Sequence, residues 1–390
     1  MINFKTFITE QADDGKLKHI HHPEDMPLMH GEQGFHATTA ALQHAHEHLA
    51  SGKHSHALTM KYDGSPSLVF GHHPRTGKFF VATKSAFNKN PKLNYNEKDI
   101  EQNHGHAPGL VEKLKAALHH LPKVAPKKGV YQGDVMFTHH DVQHNPNGSA
   151  SFTPNTIKYT AHGNDARHIK GAKMGIVVHQ KYNGHIENMK ASPKVDHENF
   201  GKHADVWHKT AEHDTSRVDY PVRSQLEFKK HMDAAHAIHN KEKHVMYKST
   251  EPHHGEGGHL NTYINHTVRT GEKPTAQGFA NHLATKFHRQ ESQYKTEKSK
   301  ERVRDEARKH FGHIQSNKSH YDNLFKMHQH IQKAKHALVD TLDSGHHDLE
   351  HHIDNQPTKP EGYVVNHGSS PIKLVNRAEF SRANLLKARK

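Results

Sequence analysis

Four polar residues sit inside otherwise apolar, strand-like runs: Lys61, Asp134, Glu361 and Lys373. Two amines and two carboxylates embedded in this way form a chemical kit. Carboxylate oxygens are the donors that a hard divalent cation takes. A phosphoryl group under attack needs positive charge around its non-bridging oxygens. An amine held at a rigid, partly desolvated position binds its proton less tightly and becomes a nucleophile.

The elements that must position these groups are readable from pattern. Leu58 to Gly71 reads as strand, tight Asp63-Gly64-Ser65-Pro66 turn and second strand, with Lys61 at the lip of the turn. A further strand is expected at Lys78–Thr83, followed directly by Lys84 and Ser85, a cation and a small hydroxyl that could meet a ribose or phosphate or be ordinary loop residues. Gly129 to Phe137 reads as a buried strand carrying Asp134, a costly placement unless the carboxylate is paired or metal-bound. Thr156–Ala161 and Met174–His179 are two more strands, and Glu361 and Lys373 lie in a short hairpin near the end of the sequence. Helices are expected at 36–49, at 109–121, where apolar residues recur on one face, and over 222–240, 275–311 and 320–342. The first 35 residues read as irregular. Residues 1–192 and 346–390 therefore read as one largely β core, interrupted by a helical insertion at 193–345.

Composition narrows the class. The chain has 390 residues, 32% of them hydrophobic, and a formal net charge of +13, so a polyanionic partner fits. It has no cysteine, which excludes disulfides, thiolate zinc sites and thiol catalysis. No apolar run reaches membrane-spanning length and the start lacks a signal-peptide core, so a cytoplasmic, intracellular protein is expected, in the host cytoplasm if viral. The 48 histidines are spread over nearly every segment, no His-Glu-x-x-His is present, and His44, His46, His48, His54 and His56 select no single helix face. Structural and surface roles are expected for them.

The order and spelling of these segments resemble the covalent nucleotidyltransferases: ATP-dependent DNA ligases, RNA ligases and mRNA capping enzymes. Lys61-Tyr62-Asp63-Gly64 looks like their first motif, Lys84-Ser85 falls where a short second motif would, and Tyr131 to Asp134 resembles the third. Ile176 to His179, with Val178, resembles the apolar strand that helps hold the base; Glu361 to Val365 matches the fourth motif and Ile372 to Val375 the fifth. The resemblance covers roughly 57–180 and 358–377 and is closest to phage-type RNA ligases. Pro66 stands where DNA ligases carry arginine, and the few residues after Lys373 leave no room for the oligonucleotide-binding barrel of DNA ligases and capping enzymes.

What the resemblance implies is an α+β fold: a ligase-type nucleotidyltransferase domain of largely antiparallel sheets with flanking helices, plus the insertion. It implies a monomeric, ATP-dependent polynucleotide ligase, acting on RNA rather than DNA. Lys61 would take AMP, Asp63 would orient Lys61 or a metal-bound water, and Lys373 would contact the α-phosphate. Gly64, Lys84, Ser85, Val178 and Glu361 would line the nucleotide, and Asp134 and Glu361 would hold Mg2+ or Mn2+. Two departures are visible: Asp134 where glutamate is usual, and Val375 where a second lysine is usual, a charge that Arg377 or Lys84 would have to supply. They keep open a second class, a degenerate ligase-fold protein that binds nucleotide or nucleic acid without turnover.

Overall fold

The structure is a computed structural model that describes residues 20–52, 58–250, 258–367 and 371–377. It divides into two compact units: Met1–Ile20, Gly52–Val218 and Asp343–Pro371 in one, and His21–Ser51, Asp219–Leu342 and Ile372–Lys390 in the other.

Among the described residues the first unit holds the strands β1 Leu58–Lys61, β2 Ser67–His72, β3 Phe79–Ala82, β4 Gly129–Thr138, β5 Gln143–His144, β6 Ala150–Phe152, β7 Lys158–Ala161, β8 Met174–Asn183, β9 Lys190–Ser192, β10 Val206–Thr210, β11 Glu350–Ile353, β12 Gln356–Pro357 and β13 Gly362–Val365. The main sheet runs β10-β8-β4-β2-β3, with β9 on β8. Its pairs are antiparallel except for β10 on β8, which is parallel. A second sheet runs β12-β11-β7-β6-β5, and β1 pairs antiparallel with β13. This is the expected α+β class with predominantly antiparallel sheets.

Alternation along the strands explains the layering. Leu68, Phe70, Tyr131, Val135, Ile176 and Val178 point into one apolar core, where the helices Glu97–His104 and Pro108–His120 contribute Ile100, Val111, Leu114 and Ala117. The opposite face carries Val69, Phe80, Val130 and Tyr182 at one end and a row of polar side chains further along. The first of those helices starts where Asn96 caps it, its side chain accepting from the Asp99 N–H at 3.1 Å.

The second unit is helical. The Phe279, Leu283 and Phe287 repeat lies on the helix Ala276–Ser292 and is buried, as is the Leu324, Ile331, Leu338 and Leu342 stripe of Lys318–Asp343. Several boundaries differ from the sequence reading. Helical structure runs over Met26–Ser51 with a break at Gly31, so it begins ten residues before His36, in two segments. The stretch 275–311 breaks into two helices, Ala276–Ser292 and Glu297–Ser316, each opened by a threonine cap, and His259–Thr270 is an additional helix. Strand structure continues past 192 to β10, which hydrogen-bonds β8, so β10 groups with the β-rich unit. Ala57 and residues 368–370, read as a strand start and part of a turn, lie outside the described residues.

The second unit also buries a set of charges. Lys335 Nζ donates to Glu24 Oε1 at 2.6 Å with both side chains wholly buried. Arg377 Nη1 donates to both Asp25 oxygens at 2.9 and 2.7 Å, and His328 Nε2 lies 3.0 Å from Asp25 Oδ1.

Candidate functional site

Lys61 ends β1 and pairs in register with Gly362, the first residue of β13. That register puts Glu361 beside Lys61, and Lys61 Nζ donates to Glu361 Oε2 at 2.5 Å. The lysine side chain retains 35% of its exposure and the glutamate only 11%. Burial pushes the Glu361 carboxyl above the usual range; the Lys61 ammonium opposes that, and Asp63 and Asp134 add to it. Glu361 is therefore poised as a proton acceptor directly on the amine.

The end of β1 is tied to the main sheet. Met60 N–H donates to Ala211 O at 2.7 Å, His213 N–H to Leu58 O at 3.1 Å, and Ala211 N–H to Val178 O of β8 at 2.9 Å. The turn after Lys61 is tied to β4: Ser65 N–H donates to Val135 O and Val135 N–H to Pro66 O. Gly64 lies so close over β4 that a Cβ there would stand 2.6 Å from Asp134 Cβ, which explains the glycine.

Asp134 faces the polar side of the sheet opposite Ser67 of β2. Its Oδ1 lies 3.4 Å from His179 Nε2. Tyr182 Oη donates to Gln132 Oε1 at 2.5 Å, Gln132 Nε2 donates to Ser67 Oγ at 3.0 Å, and the Ser67 hydroxyl bonds Asp134. Burial would raise the Asp134 carboxyl, but His179, the Ser67 bond and the Lys61 ammonium together hold it below the usual carboxylate range. Asp134 is thus an ionised, hydrogen-bonded carboxylate near Lys61 and Glu361.

Asp63 is tied to a loop distant in sequence. Its Oδ1 accepts from Asn155 Nδ2 at 2.8 Å, and its Oδ2 accepts from the N–H groups of Thr156 and Ile157 at 2.6 and 2.9 Å. Its own N–H donates to Tyr159 Oη at 2.7 Å. Both oxygens are committed to the 155–157 loop, so Asp63 is a positioning residue that pins the lysine turn to the start of β7.

The other expected residues are placed as follows. Lys84 opens a 3-10 turn and is exposed; Ser85 is half-buried, its N–H held by the Thr83 hydroxyl. The Val178 side chain is wholly buried in the apolar core rather than on the Asp134 side of β8. Lys373 is half-buried on strand Ile372–Leu374 in the helical unit, where its N–H donates to His21 O at 3.1 Å. Arg377 is committed to Asp25 and to Asn265 Oδ1, so it supplies no free charge. Among the described residues, the clusters of three groups suited to a metal are Glu32-His36-His239 and His259-Glu306-His310, neither containing Asp134 or Glu361.

The profile of one protein family matches residues 16–389. The chain belongs to that family, a family of unknown function (DUF6267). No curated protein and no solved structure matches the chain. The site therefore has to be read from its own geometry. Among the described residues, no helix is long and apolar enough to cross a membrane.

Sequence reasoning passed over His179, Ser67, Gln132 and Tyr159, the groups that fix the two aspartates. A signal existed for His179: it alternates with Val178 at the end of an apolar strand, so its side chain must face away from the core that takes Ile176 and Val178.

Proposed function

We propose that this chain is an ATP-dependent nucleotidyltransferase that joins polynucleotide ends through a covalent lysine–AMP intermediate on Lys61. The observation that carries the reading is the Lys61–Glu361 hydrogen bond across β1 and β13, with an ionised Asp134 nearby.

In this reading the Lys61 amine attacks the α-phosphorus of ATP. The N–P bond forms, the bond from the α-phosphorus to the bridging oxygen breaks, and pyrophosphate leaves with that electron pair. Glu361, 2.5 Å from Nζ, takes the proton the amine must lose. Magnesium, when bound, neutralises phosphate charge, and the carboxylate oxygens of Asp134 and Glu361 are donors of the hard type it takes. AMP then passes to a 5′-phosphate and is displaced by a 3′-hydroxyl. The polynucleotide is RNA rather than DNA by the spelling of the motifs, and the net charge of +13 suits either.

The test is direct. The protein is incubated with ATP labelled at the α-phosphate and magnesium, denatured and separated. A covalent band that Lys61→Ala abolishes is expected. If ATP, GTP and NAD all leave the wild type unlabelled, the reading fails; nucleotide binding without label would then point to a module that binds without turnover.

A further inference from the structure

We propose that Glu32, His36 and His239 form a binding site for a first-row divalent cation of the zinc class, clamping two helices of the second unit and leaving a coordination position open to water. The site is separate from Lys61 and independent of the nucleotidyltransferase reading.

The helix Met26–Ser51 is broken at Gly31, whose φ of 58° and ψ of −137° are non-helical. Glu32 opens the continuing part, and His36 lies one turn further on the same face. The helix Val222–Thr250 presents His239 to them. Glu32 Oε1 lies 3.7 Å from His36 Nε2 and 3.8 Å from His239 Nε2, and the three ligand atoms all fall within 4.8 Å of one another. Metal bonds of about 2.0–2.2 Å at a tetrahedral centre set ligand atoms about 3.3–3.6 Å apart. Shifts of a few tenths of an ångström would close the shell.

The His239 ring is oriented as a ligand would be. It stacks on Phe35 with centroids 4.0 Å apart and planes 6° apart, and it is almost wholly buried. Its Nδ1 lies 3.0 Å from Tyr247 Oη, and that hydroxyl donates to Met327 Sδ at 3.8 Å. With Nδ1 protonated, that nitrogen donates to the tyrosine oxygen and the lone pair is left on Nε2. In that tautomer a buried lone pair faces the Glu32 carboxylate 3.8 Å away, acceptor against acceptor. A cation between them resolves that clash, and the Tyr247 bond to the far nitrogen is the outer-shell support that metal-binding histidines use.

Charge around the site is mixed. Lys243 Nζ lies 3.4 Å from Glu32 Oε1. Its side chain is a third exposed and long enough to swing into water when a cation takes the carboxylate. Two imidazoles and one carboxylate suit zinc, cobalt or nickel and do not suit magnesium. Three protein ligands rather than four, with Glu32 and His36 half exposed, leave room for a water. At the second cluster Lys286 Nζ lies 2.9 Å from His259 Nδ1, which makes it the internal comparison.

The experiment uses the full chain stripped with a chelator and titrated with Zn2+ by equilibrium dialysis, then with Co2+ by visible absorption. One tight equivalent is expected, with a tetrahedral-type cobalt spectrum, and no displacement by Mg2+. His36→Ala, at an exposed position, should fold as judged by circular dichroism and lose that equivalent. Tyr247→Phe should weaken it about 10- to 100-fold. His310→Ala, in the second cluster, should keep it. Retention of the tight equivalent in His36→Ala, or its loss in His310→Ala, overturns the assignment.

Discussion

Replacing Asp63 separates a positioning role from a chemical one. In Asp63→Ala, two backbone N–H groups, those of Thr156 and Ile157, lose their acceptor, as does the Asn155 amide. Asp63 itself is 7% exposed, so little water can replace the carboxylate. A buried donor left unpaired costs about 1–3 kcal/mol, and bonds to a charged acceptor stand at the upper end. Two such donors give a loss of about 4 kcal/mol, a large share of the roughly 5–15 kcal/mol that holds a domain folded. Asp63→Asn keeps one oxygen for the two N–H groups, and the Asn155 amide can turn to accept from the new one. Its loss should be about 1–2 kcal/mol. The assay is built into the chain: its one tryptophan, Trp207, lies buried on β10 of the same unit, between Phe137 and Phe152. Urea unfolding followed by its fluorescence reads the unit that holds Asp63. A loss under about 1 kcal/mol for Asp63→Ala, or equal losses for both variants, would refute the pinning argument.

Gly64→Ala places a Cβ 2.6 Å from that of Asp134, so the turn must lift; a loss of about 1–3 kcal/mol and slower labelling of Lys61 are expected, and unchanged labelling would show that the contact does not position the lysine. Glu361→Gln should abolish labelling yet raise stability at pH 7. Burial raises the folded pKa of Glu361 above its unfolded value, so between the two the folded state binds more protons and stability falls as pH rises; the variant's urea midpoint should lack that fall. The half-buried His197 and the buried His213 are pushed down to about 4, and the buried His351 to about 3, chiefly by desolvation. Below about pH 6.5 the unfolded chain takes protons that these rings refuse, so the stability they contribute above that pH is lost as pH falls toward 4. The Trp207 midpoint should drop between pH 7 and 5, and a flat profile would contradict their burial as neutral rings.

The strands that carry Lys61 and Asp134, and the one that Glu361 precedes, were legible because an isolated charge in or beside a short apolar run is conspicuous, and a strand fixes which way its side chains face. The pairing of β1 with β13 was not, since nothing local encodes which of many strands meets which. The anchor of Asp63 was not legible, because the 155–157 loop is distant in sequence and donates through backbone N–H groups that carry no side-chain signature. The helical stretch Met26–Ser51 was read short because Gly31 breaks its start. Its Glu32 and His36 gained meaning only when Val222–Thr250 delivered His239. A histidine-rich composition hides a ligand set by dilution.

The partners Lys61 and Glu361 lie 300 residues apart. At a synthesis rate of roughly 5–20 residues per second, the lysine waits on the order of 15–60 s after it is made before its glutamate emerges from the ribosome. Through that interval a nascent chain can build β2, β3, β4 and β8 while β1 lacks its β13 neighbour and Lys61 lacks its proton acceptor. A product cut short before Glu361 would carry the lysine turn without the carboxylate that pairs with Lys61. The Lys61–Glu361 pair is thus completed only once synthesis has passed residue 361.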